Sequence, residues 1–127
     1  MANQSLRILA CDDDELLLEL LRHRLTSKGY SVDTAKDGKE ALEKIQASPP
    51  DALVLDAMMP LVDGYEVLRQ FRAMDGMQSV PVVFLSARKQ EQDILTALSL
   101  GASDYLVKPF IPEELVMRLS RLLAKPQ

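Results

Sequence analysis

The stretch Ala52-Leu53-Val54-Leu55 carries no polar residue and stops on Asp56. Strands that face solvent on one side alternate apolar and polar residues; strands covered on both faces, as in parallel sheets, do not. The same pattern recurs on either side. Leu6–Cys11 runs into Asp12 and Asp13, residues 80–85 into Ser86, and residues 105–107 into Lys108. A fifth β-like run spans 30–35. Segments with helical spacing follow each run, at 14–28, 38–47, 64–74, 89–100 and 112–124. Five β-α units with short connections predict an α/β fold, a doubly wound five-stranded parallel sheet with five helices in three α/β/α layers.

Turn chemistry separates these segments. Lys28-Gly29, Asp37-Gly38, Ser48-Pro49-Pro50, Asp63-Gly64, Asp75-Gly76 and Gly101-Ala102 are breakers. Asp63 with Glu66 reads as a capping pair, and Pro112 as a first-turn proline. In the first helix Leu17, Leu21 and Leu25 form the expected core stripe beside Leu20, opposite Arg22, His23 and Arg24. In the last, Leu115, Leu119, Leu122 and Leu123 form a similar stripe.

The chain of 127 residues is sized for one domain, taken as 1–127, with 47% hydrophobic and 27% charged residues. A net charge of −4 gives no basic footprint for nucleic acid or an anionic membrane. A single cysteine, Cys11, allows no internal disulfide. Met-Ala-Asn-Gln-Ser at the start lacks the charge and apolar run of a secretory leader, and no run reaches a membrane span of ~18 residues. A cytoplasmic location is expected. No internal repeat or linker is seen, and the tail Ala-Lys-Pro-Gln stops just after the fifth helix.

Residues at the carboxyl ends of parallel strands gather in one crevice, where open α/β sheets bind ligands. That brings Asp12, Asp13, Asp56, Ser86 and Lys108 together. Asp14 and Glu15 are explained as helix-start residues complementing the dipole. Asp56, ending a separate strand, is not. Two like charges ~4 Å apart repel by roughly 4 kcal/mol at an effective dielectric of 20, so a cation is needed to offset them. Mg2+ (or Mn2+) suits carboxylates combined with phosphate oxygens, and no Cys/His cluster offers a zinc site. Lys108-Pro109 turns the chain after its strand, and a cis bond there would aim the lysine into the crevice.

These residues resemble the receiver domain of two-component response regulators over nearly the whole chain. The resemblance rests on Ile-Leu-Ala-Cys-Asp-Asp-Asp (8–14), Ala-Lys-Asp-Gly-Lys-Glu-Ala-Leu (35–42) and Leu-Asp-Ala-Met-Met-Pro-Leu-Val-Asp-Gly (55–64). Pro-Val-Val-Phe-Leu-Ser-Ala (81–87) and Gly-Ala-Ser-Asp-Tyr-Leu-Val-Lys-Pro-Phe (101–110) complete it. It implies the flavodoxin-like strand order 2-1-3-4-5. It also implies that Asp56 accepts a phosphoryl group from a sensor histidine kinase or histidine phosphotransfer protein. Asp13, Asp56 and the Met58 backbone carbonyl would ligate Mg2+, with Asp12 acting mainly through a coordinated water. Lys108 and Ser86, here in place of the commoner threonine, would hold phosphoryl oxygens. Met58 and Arg88 match positions that tune phosphoryl lifetime.

By the same resemblance Tyr105 is a switch aromatic that follows Ser86 and repacks the surface of the fourth helix, fifth strand and fifth helix. Asp104, Glu114 and Arg118 match positions used for phosphorylation-linked homodimerisation in winged-helix regulators, though Ile94 and Ser99 replace a basic and an acidic residue there. An effector domain or downstream protein would receive the signal. His23 reads as a solvated helix residue. Leu16 and Leu18, off the expected stripe, are candidates for docking the phosphodonor. Two alternatives are a pseudo-receiver that only binds partners and a haloacid-dehalogenase-type phosphatase built on Asp12-x-Asp14.

Overall fold

The computed structural model describes residues 5–124. The amino-terminal stretch read for a leader, through Gln4, and the tail from Lys125 lie outside the described residues. Elements alternate throughout: β1 Arg7–Cys11, α1 Glu15–Ser27, β2 Ser31–Ala35, α2 Gly38–Ala47, β3 Ala52–Asp56, α3 Gly64–Ala73, β4 Val82–Ser86, α4 Glu91–Ser99, β5 Asp104–Val107 and α5 Pro112–Ala124. All strands are parallel, in the order β2-β1-β3-β4-β5. The fold is therefore the flavodoxin-like α/β/α sandwich expected.

Strand side chains alternate between two covered faces. Leu9, Cys11, Leu53, Leu55, Val82 and Phe84 point toward α2, α3 and α4, meeting Ile45, Val67, Leu68, Phe71 and Ala97. Ile8, Ala10, Val54, Val83, Leu85 and Leu106 point the other way, toward α1 and α5. β3 and β4 are buried at every position. That is why their sequences do not alternate.

The stripe of α1 is corrected. Leu18, Leu21 and Leu25 are its buried residues; Leu17 is partly buried and Leu20 is exposed. Leu18 therefore belongs to the core shared with α5 and is no docking residue, while Leu16 is 81% exposed. In α5 the core residues are Leu115, Val116 and Leu119, with Leu122 and Leu123 partly buried against them.

Helix starts follow their sequence signals. The Asp63 carboxylate accepts the Glu66 N–H and the Asp37 carboxylate accepts the Glu40 N–H. Glu40 reaches back past the cap residue to accept the Lys36 N–H. Glu66 instead turns to Arg69 and Gln70.

Candidate functional site

Two strand ends and two strand exits converge. Asp12 and Asp13 follow β1, Asp56 closes β3, Ser86 closes β4, and Lys108 follows β5. Asp12 is fully buried, Asp56 is 4% exposed and Ser86 is 1% exposed, whereas Asp13 faces solvent. One carboxylate oxygen from each of Asp12, Asp13 and Asp56 lies within 4.8 Å of the others. Lys108 Nζ sits 2.8 Å from Asp12 Oδ2 and 3.1 Å from Asp56 Oδ1. The Lys108–Pro109 peptide bond is cis, as the sequence allowed.

The backbone around Asp56 is fixed by close approach. Gly64 opens α3 and its N–H donates to the Ala57 carbonyl at 2.9 Å. A Cβ at Gly64 would come 2.1 Å from the Asp56 carbonyl oxygen. At Gly38, the start of α2, a Cβ would come 1.8 Å from the Val62 carbonyl oxygen. Two helix starts thus grip the loop after Asp56, and neither tolerates a side chain there. Both glycines, read from sequence as breakers, matter for contact.

The electrostatics are unbalanced. Asp12 Oδ1 accepts the Asp14 N–H at 2.9 Å, but its buried Oδ2 has no aligned hydrogen-bond donor among the described residues. Lys108 approaches Oδ2 as an ion pair out of hydrogen-bond alignment. Burial, then the neighbouring Asp12 charge, pushes the Asp56 carboxyl up to about 6, against the pull of Lys108. Burial alone would lower the Lys108 ammonium; Asp12 and Asp56 outweigh it and hold it above its ordinary value.

A buried carboxylate oxygen met by the Lys108 ammonium alone, beside two further carboxylates, fits a hard divalent cation with oxygen ligands. Asp12, Asp13 and Asp56 have the donor chemistry for one. Met58, two residues past Asp56, lies on the gripped loop with its side chain exposed.

Ser86 Oγ accepts the Arg88 N–H at 3.0 Å, and the Arg88 carbonyl accepts the Tyr105 hydroxyl at 2.8 Å. One peptide segment therefore links the site hydroxyl to the aromatic on β5. Tyr105 is 9% exposed and lies in a row with Phe84 and Tyr65. This link through Arg88 uses its backbone, which no side-chain pattern signals. His23 is exposed, as expected. Arg118 is held within the chain by both Asp104 oxygens at 3.0 Å and by Glu114 at 2.8 Å.

Residues 8–120 match the family described as response regulator receiver domain. Response regulator MprA of Mycobacterium leprae (strain TN) is 48% identical over 120 residues, covering 94% of this chain and 52% of that relative. MprA of Mycobacterium tuberculosis (strain ATCC 25618 / H37Rv) is 48% identical over 121 residues, covering 95% and 52%. The chain spans about half the length of the curated relatives it matches. Among solved structures, the chemotaxis response regulator CheY4 of Vibrio cholerae superposes with a TM-score of 0.88 at 33% identity, over 94% of this chain and 99% of that one. The receiver domain of the Francisella response regulator 1452 gives 0.87 at 34%, over 94% and 97%.

Proposed function

We propose, since this chain belongs to the response regulator receiver domain family, that Asp56 accepts a phosphoryl group from the phosphohistidine of a sensor histidine kinase or histidine phosphotransfer protein. The observation that carries this reading is the convergence on Lys108 Nζ, 2.8 Å from Asp12 and 3.1 Å from Asp56, beside three clustered carboxylates.

Phosphoryl transfer asks a protein mainly for placement and charge stabilisation. An Asp56 Oδ attacks phosphorus while the bond to the donor nitrogen breaks. Lys108, already drawn into the bowl, meets the charge on the transferred oxygens. Ser86 reaches the same oxygens by giving up its bond from the Arg88 N–H. Asp13, Asp56 and the Met58 carbonyl would hold Mg2+ (or Mn2+), with Asp12 acting mainly through a coordinated water; there the ion would offset the crowded carboxylates and the phosphoryl charge.

The switch follows from the same linkage. When Ser86 lets go of the Arg88 N–H, the segment whose carbonyl holds Tyr105 is free to move, and the α4-β5-α5 surface repacks. The output reaches an effector domain or a downstream protein. The chain acts as a single receiver domain in the cytoplasm, with no nucleic acid contacted directly. Homodimerisation on phosphorylation through this surface would have to draw Asp104, Glu114 and Arg118 from their internal pairing.

The phosphatase alternative is disfavoured by one contact: Asp14 Oδ1 accepts the Leu16 and Leu17 N–H groups as the cap of α1. Asp12-x-Asp14 therefore does not present two free carboxylates. A pseudo-receiver would lack part of the charged set, which is complete here. Incubation with acetyl phosphate and Mg2+, followed by intact mass, tests the proposal. Wild type should gain one phosphoryl group and Asp56→Asn none; equal labelling of both would refute it.

A further inference from the structure

We infer that the outer side of β2 is closed by a charged latch, Lys44 with Asp33 and Glu40, which keeps this strand from pairing with the β2 of a second copy of the chain. β2 flanks the sheet, with β1 as its single neighbour. The outer side of such a strand offers N–H and carbonyl groups as a template for strand addition unless something covers them.

The ladder decides which groups face outward. The Ser31 N–H donates to the Leu6 carbonyl, and the Ala35 carbonyl accepts the Asp12 N–H, so Ser31, Asp33 and Ala35 turn to β1. Val32 and Thr34 turn outward, in line with Tyr30 and Lys36. The Tyr30 N–H donates to the Leu25 carbonyl at 3.3 Å. The Thr34 N–H donates to Asp33 Oδ1 at 2.8 Å, and the Thr34 carbonyl accepts Lys44 Nζ at 2.6 Å. The Lys36 N–H donates to Glu40 Oε1 at 2.9 Å. Lys44 Nζ also lies 3.0 Å from Asp33 Oδ1 and 3.4 Å from Glu40 Oε2, so one ammonium fastens both carboxylates over the strand. Burial alone would raise the Asp33 carboxyl; the bonds from Lys44 and the Thr34 N–H outweigh it and keep the latch ionised.

The occupant shut out is a second copy, because the outward pattern is self-complementary. Two β2 strands set antiparallel about a twofold axis at Val32 would exchange N–H and carbonyl between the two Val32 residues. The next pairs in that register join Thr34 of each copy to Tyr30 of the other. The latch takes both backbone groups of Thr34, and Leu25 takes the Tyr30 N–H. One residue pair is left, too little to hold two chains. The opposite flank repeats the construction with other residues. Asp104 Oδ1 accepts the Tyr105 N–H at 2.8 Å, and Arg118 holds Asp104 while pairing with Glu114, four residues before it on α5. Glu40 likewise stands four residues before Lys44 on α2. Association that answers to phosphorylation at Asp56 requires flanks that do not pair on their own.

Lys44→Met with Asp33→Ala opens the latch and leaves the carboxylate bowl untouched. Light scattering on the unphosphorylated full chain should give a monomer for wild type and a dimer, growing with concentration, for the double variant. The Val32 amide should exchange about tenfold more slowly in that dimer than in wild type. Lys44→Met alone, the milder change, should shift the same way to a smaller extent, and Lys44→Arg should stay monomeric. A variant shown folded by its melting curve that keeps the wild-type mass overturns the inference. So does a dimer whose Val32 amide exchanges as fast as in wild type, since the copies then meet on another surface, or a wild type already paired at Val32.

Discussion

The two edges of the sheet are built on opposite terms. At the amino edge, guanidinium groups close the loops on carbonyl oxygens. Arg72 donates to Gly101, Met77 and Val80 carbonyls at 2.7 to 2.9 Å, and Arg7 donates to Pro49 and Ser48 carbonyls. At the carboxyl edge, three carboxylates cluster and one ammonium pairs with two of them, Asp12 and Asp56. One edge holds the fold shut; the other stays short of positive charge, the condition under which a cation would be drawn in.

The largest effect should come from the satisfied edge. Arg72→Ala strands three loop carbonyls and should lower unfolding free energy by about 3 kcal/mol. Urea denaturation checks this, with an unchanged dependence on denaturant concentration. A loss under about 0.5 kcal/mol would mean that water replaces the guanidinium freely and that the contrast between edges is false.

The next effect belongs to the unbalanced edge. With its carboxyl raised to about 6, Asp56 binds a proton more tightly folded than unfolded. Stability in chelator should therefore fall as pH rises from about 4 to 6, by on the order of 2 kcal/mol. Asp56→Asn should flatten that dependence, and Mg2+ should reduce it. A wild-type profile that rises across this window would break the argument.

A smaller change is expected at Asp13. Asp13→Asn removes one like charge from the cluster and should raise metal-free stability by about 1 kcal/mol while weakening Mg2+ binding. Denaturant midpoints in chelator, and titration with Mg2+, read the two halves separately. An unchanged or lower midpoint would count against crowding as the reason for a cation.

Much of this contrast was legible in the chain. Non-alternating runs marked strands buried on both faces, and the polar residues ending them marked the crevice. Asp12, Asp56 and Lys108 do meet there. The phase of α1 was not legible, because Leu16, Leu17 and Leu18 are consecutive and α5 decides which of them is covered. The link from Ser86 to Tyr105 was also hidden, since it runs through the Arg88 backbone. So was the grip on the loop after Asp56, because a glycine's missing Cβ shows its use only once its neighbours are in place.

The smallest effect sharpens the comparison most. Gly29, Gly76 and Gly101, in the loops of the amino edge, take positive φ where glycine does so without strain. The one non-glycine residue with positive φ among those described is Leu61, at 72°, on the carboxyl-edge loop after Asp56. The Val62 N–H closes onto the Pro60 carbonyl at 2.8 Å, a three-residue turn of the strained type. Leu61 is 75% exposed, so burial does not offset that strain. Asn tolerates this backbone region better than leucine does, so Leu61→Asn should raise stability by about 0.5 kcal/mol. Gly29→Ala, with φ at 98° and open space around it, should lower stability by about 1 kcal/mol. Opposite signs from the two substitutions would place the strain at the functional edge; equal signs would mean that the turn at Leu61 is relaxed.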